Sequence, residues 1–333
     1  MSAWRQFRYR LEYSLTLAGM KGLRHLGLGQ AQAIGRFLGR SAYTLGVARG
    51  TTLSNLKTYL GVEGSEARRI ASRAYANFGQ TMSEVAYMPA LDLARLDDMF
   101  EFEGLEQLEV AKARGKGIVC MSAHYGNWEW MGAAFIRRGF PVTFLIGTQS
   151  NPYVDKLFNS IRAKAGIQFV RIQAIRDALR VLKGNGMVAL LGDQDGDKWG
   201  TFAPFFGAQA STHSIGELLA RRSGATLAFG VPVRVHAEKH HLKVHVIEPY
   251  PEALNEAQGP AWTLARYNAL LEAAIREHPD HWLWMHERWR SVPLHRLSGE
   301  PRARAERGEI AFDLKDQVWR RTVDGVAENI PWG

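Results

Sequence analysis

Two hydrophobic rhythms divide the chain. Through its first quarter, apolar residues recur at helical intervals. Trp4, Phe7, Tyr9, Leu11, Leu15, Leu17, Leu23, Leu26, Ile34, Phe37, Leu38 and Leu45 are set among basic residues and glycines. Ile70, Ala74, Phe78, Met82 and Val85 then follow the 3.6-residue period between Glu66 and Tyr87. After Asp97 the rhythm changes to short apolar runs, FEFEG, GIVCMSAH, PVTFLIG, IQFVRI, GMVALLGDQD and TLAFGVPVRV, separated by longer amphipathic stretches. The runs predict strands. The stretches predict helices at Leu105 to Arg114, Asn127 to Arg138, Pro152 to Ala165, Ala174 to Lys183 and Thr212 to Ser223. The expected fold class is therefore α/β, with a mostly parallel central sheet, helices on both faces and an N-terminal helical region. Val231 to His236 and Leu242 to Ile247, divided by a polar turn, predict an antiparallel hairpin at one side of the sheet. Three segments are expected: a helical, membrane-associating region at 1–96, an α/β domain at 97–297 and a charged tail at 298–333.

Composition fits a folded chain, with 46% hydrophobic and 23% charged residues among 333. A net charge of +9 calls for an acidic partner, and nucleic acid, anionic lipid and an acidic carrier protein all qualify. No zinc-finger, helix-turn-helix or RNP pattern accompanies the charge, and the basic residues are dispersed, which speaks against nucleic acid. Cys120 is the single cysteine, which excludes an intrachain disulfide or a cysteine-based zinc site and fits a reducing compartment. Its place inside an apolar run predicts core. Glu12, Lys21, Arg24, Arg36 and Arg40 interrupt the first apolar stretch, so the expectation is a helix lying on a membrane or packed on the core, not one crossing a bilayer.

The run GIVCMSAHYGNWEW is the most informative stretch for chemistry. A buried strand is expected to end at His124 and a helix to begin near Asn127, a good N-cap residue. A titratable group at the carboxyl end of a strand in an open α/β sheet stands where such sheets bind ligands. Glu129 follows five positions on, and a chain folding back through the turn would let its carboxylate fix the imidazole tautomer. With 11 histidines and 33 acids, about one pair at this interval is expected by chance, and His295 with Glu300 is another. Asp193 and Asp195 follow a strand and are candidates for contact with a sugar or, less simply, with magnesium. Arg171 and Arg288 are candidates for a substrate phosphate or for ordinary ion pairs, and Asn127 joins the candidate substrate contacts from the turn after His124. The remaining histidines do not form a compact metal-ligand set. Trp282, Trp284 and Trp289 read as core, as the lining of an acyl channel or as anchors at a membrane interface, with core favoured at this density of large aromatics.

HYGNWE resembles the H-x4-D/E box of the late acyltransferases of lipid A biosynthesis, the secondary lauroyl and myristoyl transferases. ARGTTLSNL, LLGDQD, PFFG, STHSIGELLARRSGA and HPDHWLWMHERWR are similar, in order, to further blocks of that family, so the resemblance covers roughly residues 40 to 295. It implies a glycerolipid acyltransferase-like fold and transfer of a fatty acyl chain from acyl carrier protein to a hydroxyl of a lipid A precursor. His124 would be the general base and Glu129 the residue that orients it. It also implies no metal or other cofactor, because a thioester is already activated. The implied partners are acyl carrier protein, a glycolipid acceptor and the anionic inner membrane, with the protein peripheral or monotopic on its cytoplasmic face. Acylation of a phosphatidylinositol mannoside or a lipoamino acid would use the same box.

Overall fold

A computed structural model describes residues 3–236, 238–255 and 258–291, together with the backbone of three short strands further on. In chain order the helices are α1 (Ala3–Arg24), α2 (Leu28–Thr44), α3 (Arg49–Asn55), α4 (Gly64–Tyr87), α5 (Leu96–Met99), α6 (Leu105–Ala113), α7 (Trp128–Arg137), α8 (Pro152–Lys164), α9 (Ile175–Lys183), α10 (Ile215–Ser223) and α11 (Gly259–Glu277). The strands are β1 (Phe100–Glu103), β2 (Ile118–Ser122), β3 (Val142–Ile146), β4 (Gln168–Arg171), β5 (Met187–Leu191), β6 (Thr201–Phe205), β7 (Ala208–Thr212), β8 (Thr226–His236) and β9 (Lys239–Ile247). Beyond these lie β10 (Ala311–Asp313), β11 (Val318–Val323) and β12 (Val326–Ile330), which form an antiparallel sheet of their own.

The central sheet has seven strands in the order β1-β9-β8-β2-β5-β3-β4. Every neighbouring pair is parallel except β8 and β9, the antiparallel hairpin expected from the sequence. The sheet continues past the hairpin, because β1 pairs with the far edge of β9. β2 is buried at every position, as a strand covered on both faces must be. Its side chains alternate between two cores. Val119 and Met121 join the cluster built with α4, α10 and α11, whereas Ile118 and Cys120 join the cluster under α6, α7 and α8.

The helical start of the chain is not a separate unit. One face of α4 enters the main core through Ala67, Ile70, Ala71 and Ala74, and further along Glu84 lies fully buried. The Glu84 carboxylate accepts from Gln32, Gln80 and Asn127, and both its oxygens accept from Arg234 at 2.7 Å. Burial alone would raise the Glu84 pKa, but the Arg234 charge and this set of donors hold it below the usual carboxylate range. α2 packs on α4 through small residues. A Cβ on Gly39 would lie 2.0 Å from the Tyr75 carbonyl oxygen, and one on Gly79 would lie 2.2 Å from that of Gly35. The backbones meet because those positions carry no side chain. No described helix is long and apolar enough to cross a membrane.

The tail from Ser298 is described only as the backbone of β10 to β12, so His295 and Glu300 lie outside the described residues.

Candidate active site

β2 and β5 are adjacent, with Ser122 opposite Leu191. Each chain then runs two residues beyond its strand before reaching a polar side chain, His124 on one and Asp193 on the other. The register brings those two together at the carboxyl edge of the sheet. The His124 Nδ1–H donates to Asp193 Oδ1 over 2.9 Å, and the His124 amide donates to Oδ2 over 3.0 Å. An ionised carboxylate only accepts, so the Nδ1 proton is fixed and Nε2 is left as the acceptor. The indole N–H of Trp282 completes the arrangement, donating to Asp193 Oδ2 at 2.9 Å. Burial pushes the Asp193 pKa up, yet the attraction to His124 and these three donors leave it below the usual range, so this buried acid stays ionised. His124 is 23% exposed and Asp193 only 2%, which leaves the imidazole as the accessible end of the pair.

The turn after His124 is held in one shape. Gly126 has φ of +55°, and a Cβ there would sit 1.9 Å from the Pro232 carbonyl oxygen, so both conformation and space demand glycine. Its carbonyl accepts from Thr81 and its amide donates to the His281 carbonyl. Asn127 caps α7 by accepting from the Trp130 amide and donates to Glu84. The Leu283 amide donates to the His124 carbonyl, and Asn55 donates to the carbonyls of Trp284 and His286, both at 3.0 Å. The segment from 278 to 290 is therefore a brace behind His124, tied to α3 on its far side. Trp282, Trp284 and Trp289 are fully buried around Phe205 and Phe206, and Tyr59 stacks on Trp289. None of the three tryptophans lines the cavity described next.

A cavity of about 650 Å³ opens over His124. Phe78, Met82 and Val85 of α4, Leu145 and Ile146 of β3, and Leu190 and Leu191 of β5 give it apolar walls. Trp128, Glu129, Arg162, Gln194 and His213 add polar groups. Trp128 sets its ring edge-on to the His124 imidazole, with centroids 5.1 Å apart, and stacks on Phe78. Such a space accommodates a long alkyl chain and has the His124 imidazole in its wall.

Several residues expected to bind substrate or to orient the base do other work. Glu129 is not the partner of His124. It is 3% exposed and accepts from Arg162 of α8 through both carboxylate oxygens, because the first turn of α7 points it toward α8 and away from the imidazole. Arg171 pairs with Asp155, which holds that carboxyl below its usual range. Arg288 is fully buried, donating to the Ser211 carbonyl and the Thr212 hydroxyl, and therefore cannot meet a phosphate in the cavity. Asn127 is equally enclosed. Asp195 accepts from Ser291 and pairs with Arg290, outside the cavity lining. Cys120 is core, with burial pushing its thiol up to about 12. Among the described residues no group of three or more His, Cys, Asp or Glu is placed to hold a metal. Sequence reasoning missed Glu84 and Arg162, and it reads Trp282 as core or acyl channel and not as a donor to Asp193. Asp193 reads in the sequence as a contact for sugar or magnesium, with nothing there to pair it with His124.

The model of the bacterial lipid A biosynthesis acyltransferase family matches residues 2–291. The chain belongs to that family. It is 26% identical over 224 residues to a lipid A biosynthesis acyltransferase of Haemophilus influenzae, covering 66% of this chain and 68% of that protein. It is 24% identical over 234 residues to the lipid A biosynthesis palmitoleoyltransferase of Escherichia coli, covering 69% and 74%. A phosphatidylinositol mannoside acyltransferase of Mycolicibacterium smegmatis is 25% identical over 235 residues, again covering 69% and 74%. Membership makes the protein an acyltransferase, and the α/β sheet with its N-terminal helices brings residues of HYGNWE, LLGDQD and STHSIG to the wall of one cavity.

Proposed function

We propose that the protein transfers a fatty acyl chain from the thioester of acyl carrier protein to a hydroxyl of a lipid A precursor, with His124 as general base and Asp193 as the residue that orients it. The observation that carries this reading is the Trp282–Asp193–His124 relay ending at an apolar cavity, in a chain of this family. His124 Nε2 takes the proton of the acceptor hydroxyl as its oxygen bonds to the thioester carbonyl carbon. The tetrahedral adduct then collapses, the C–S bond breaks, and the imidazolium returns the proton to the departing thiolate. Asp193 stays ionised and stabilises the imidazolium between those two steps. No covalent acyl-enzyme is needed, and buried Cys120 is not available to form one.

Glu129 contributes at one remove. Its ion pair with Arg162 fixes a guanidinium in the cavity wall, where the cation can face an anionic part of either substrate. The partners in this reading are acyl carrier protein, the glycolipid acceptor and the cytoplasmic face of the inner membrane, with the protein held there peripherally. The +9 charge and the apolar stripes of α1 and α2 support that placement.

The test is transfer of radiolabelled acyl groups from acyl carrier protein to a purified lipid A precursor. His124→Ala is expected to lose at least about a hundredfold in rate while remaining folded. Label on a phosphatidylinositol mannoside, and none on the lipid A precursor, would keep the mechanism and replace the acceptor. Unchanged activity in the variant would remove His124 from the chemistry.

A further inference from the structure

We propose that His213 is a second catalytic histidine, whose imidazole N–H donates to the thioester oxygen as that oxygen becomes negative in the tetrahedral adduct. The proposal rests on the acyl-transfer reading above. That reaction must stabilise an oxyanion, and in acyl-transfer sites preorganised donors commonly do so. Three amides beside the base are already committed. Those of His124, Tyr125 and Gly126 donate to Asp193, to the Ala123 carbonyl and to the His281 carbonyl.

His213 has the required properties. It lines the same cavity as His124, is half-buried, and has no hydrogen-bond partner among the described residues. Its backbone is fixed from several sides. Thr212 forms a bridge with Asp195, and its hydroxyl accepts from Arg288 at 2.6 Å and from Asn268 at 3.1 Å, while Arg288 also holds the Ser211 carbonyl. The buried guanidinium that cannot reach substrate thus serves as an anchor for the residue that can. Fixing the donor before reaction is what gives an oxyanion contact its value, because no reorganisation is then needed.

The electrostatics agree. Burial, followed by the nearby Arg288 charge, lowers the His213 pKa, against the opposing pull of Asp193 and Asp195. His213 is therefore neutral, with one N–H to donate. It keeps that proton throughout, while the proton in motion passes from the acceptor hydroxyl to His124 and then to the thiolate.

The experiment measures steady-state transfer from acyl carrier protein thioester to the lipid A precursor for the native protein, His213→Ala, His213→Phe and His213→Gln, with melting curves for each. Removing the donor with Ala is expected to lower kcat by about 10²–10³-fold with KM within about threefold of native. Phe, which fills the volume without a donor, should stay as slow as Ala, and Gln, which restores an N–H, should recover most of the loss. If Ala melts early, the comparison of Phe with Gln decides. Native kcat in the Ala variant, a rise in KM alone, or equal activity of Phe and Gln would overturn the proposal. An inactive His124→Ala beside a fully active His213→Ala would leave the acyl-transfer reading standing and remove only His213. A native protein that transfers label to no glycolipid would overturn both.

Discussion

The proton on His124 is held on Nδ1, which leaves the lone pair on Nε2, and a single carboxylate does this. Asp193→Asn keeps the shape but removes the charge and offers an amide that can present N–H toward Nδ1. That would favour the tautomer with its proton on Nε2, the wrong nitrogen for accepting one. The expected outcome is a fall in kcat of about 10²–10⁴-fold with little change in KM, checked by steady-state acyl transfer and by a melting curve close to native. Another histidine makes a prediction about pH. His240 is buried, stacks on Phe100 with centroids 4.7 Å apart, and has its pKa lowered to about 3, first by burial and then by Arg234, against the opposing pull of Glu84. An unfolded chain binds a proton there near pH 6.5, whereas the folded chain does not until about pH 3. Between those values the unfolded state holds more protons, so stability falls as pH drops, by up to about 1.4 kcal/mol per pH unit. His240→Gln removes that titration. Denaturant unfolding from pH 7 to pH 4 should give the variant a flatter loss of stability than the native protein, whatever its stability at pH 7. Parallel curves would show that His240 does not contribute to the acid limb.

At the scale of elements, the packing of α2 on α4 depends on the absence of side chains at Gly35, Gly39 and Gly79. Gly39→Ala puts a carbon 2.0 Å from a carbonyl oxygen of the facing helix, so the helices must separate and α4 must carry Glu84 and the cavity wall with it. Overpacking of this kind costs about 1–3 kcal/mol. Gly22→Ala in α1 meets nothing within 4 Å and should instead stabilise by roughly 0.5–1 kcal/mol through helix propensity. Opposite shifts in melting temperature are expected, and equal ones would show that the contact is not tight. Strands and helices were legible in the sequence because runs such as GIVCMSAH and GMVALLG are long, apolar and sharply bounded. The α2–α4 contact was not, because glycines in a helical pattern do not say what lies opposite them. The candidate site was legible in the same partial way. His124 stood out from its place at a strand end, but its partner depended on strand order. Only the adjacency of β2 and β5 sets Asp193 across from His124, and only the direction of α7 turns Glu129 toward Arg162. The same holds for Arg288, open in the sequence between a phosphate contact and an ordinary ion pair, which its neighbours place in the core beneath β7.

At the scale of the whole molecule, charge and shape favour one surface. Trp4, Phe7, Leu11 and Leu15 are exposed along α1 within an arc of about 80° of the helix, and Ile34, Phe37 and Leu38 of α2, with Leu45 just past its end, form a similar exposed line. Single exposed apolar residues need no explanation, but eight in two stripes on adjoining helices do. The opposite side of α2 is committed to α4, whose next turns supply Phe78, Met82 and Val85 to the cavity, so the exposed stripes belong to the layer that also walls the candidate site. A bilayer meeting those stripes would bring a glycolipid acceptor close to the cavity without any helix crossing the membrane, and the excess of basic over acidic residues would favour an anionic leaflet. Replacing Trp4, Phe7, Leu11 and Leu15 together by Ser removes apolar area from an already exposed face and should leave the melting temperature nearly unchanged. The variant is expected to partition at least about tenfold less onto vesicles containing phosphatidylglycerol in a sedimentation assay, and to raise KM for a vesicle-borne acceptor far more than for one dispersed in detergent. Raised salt should weaken the binding of the native protein without abolishing it, because the electrostatic part is screened and the apolar part is not. Equal partitioning of variant and native protein would move the membrane contact away from α1, leaving the chemistry at His124 and Asp193 unaffected.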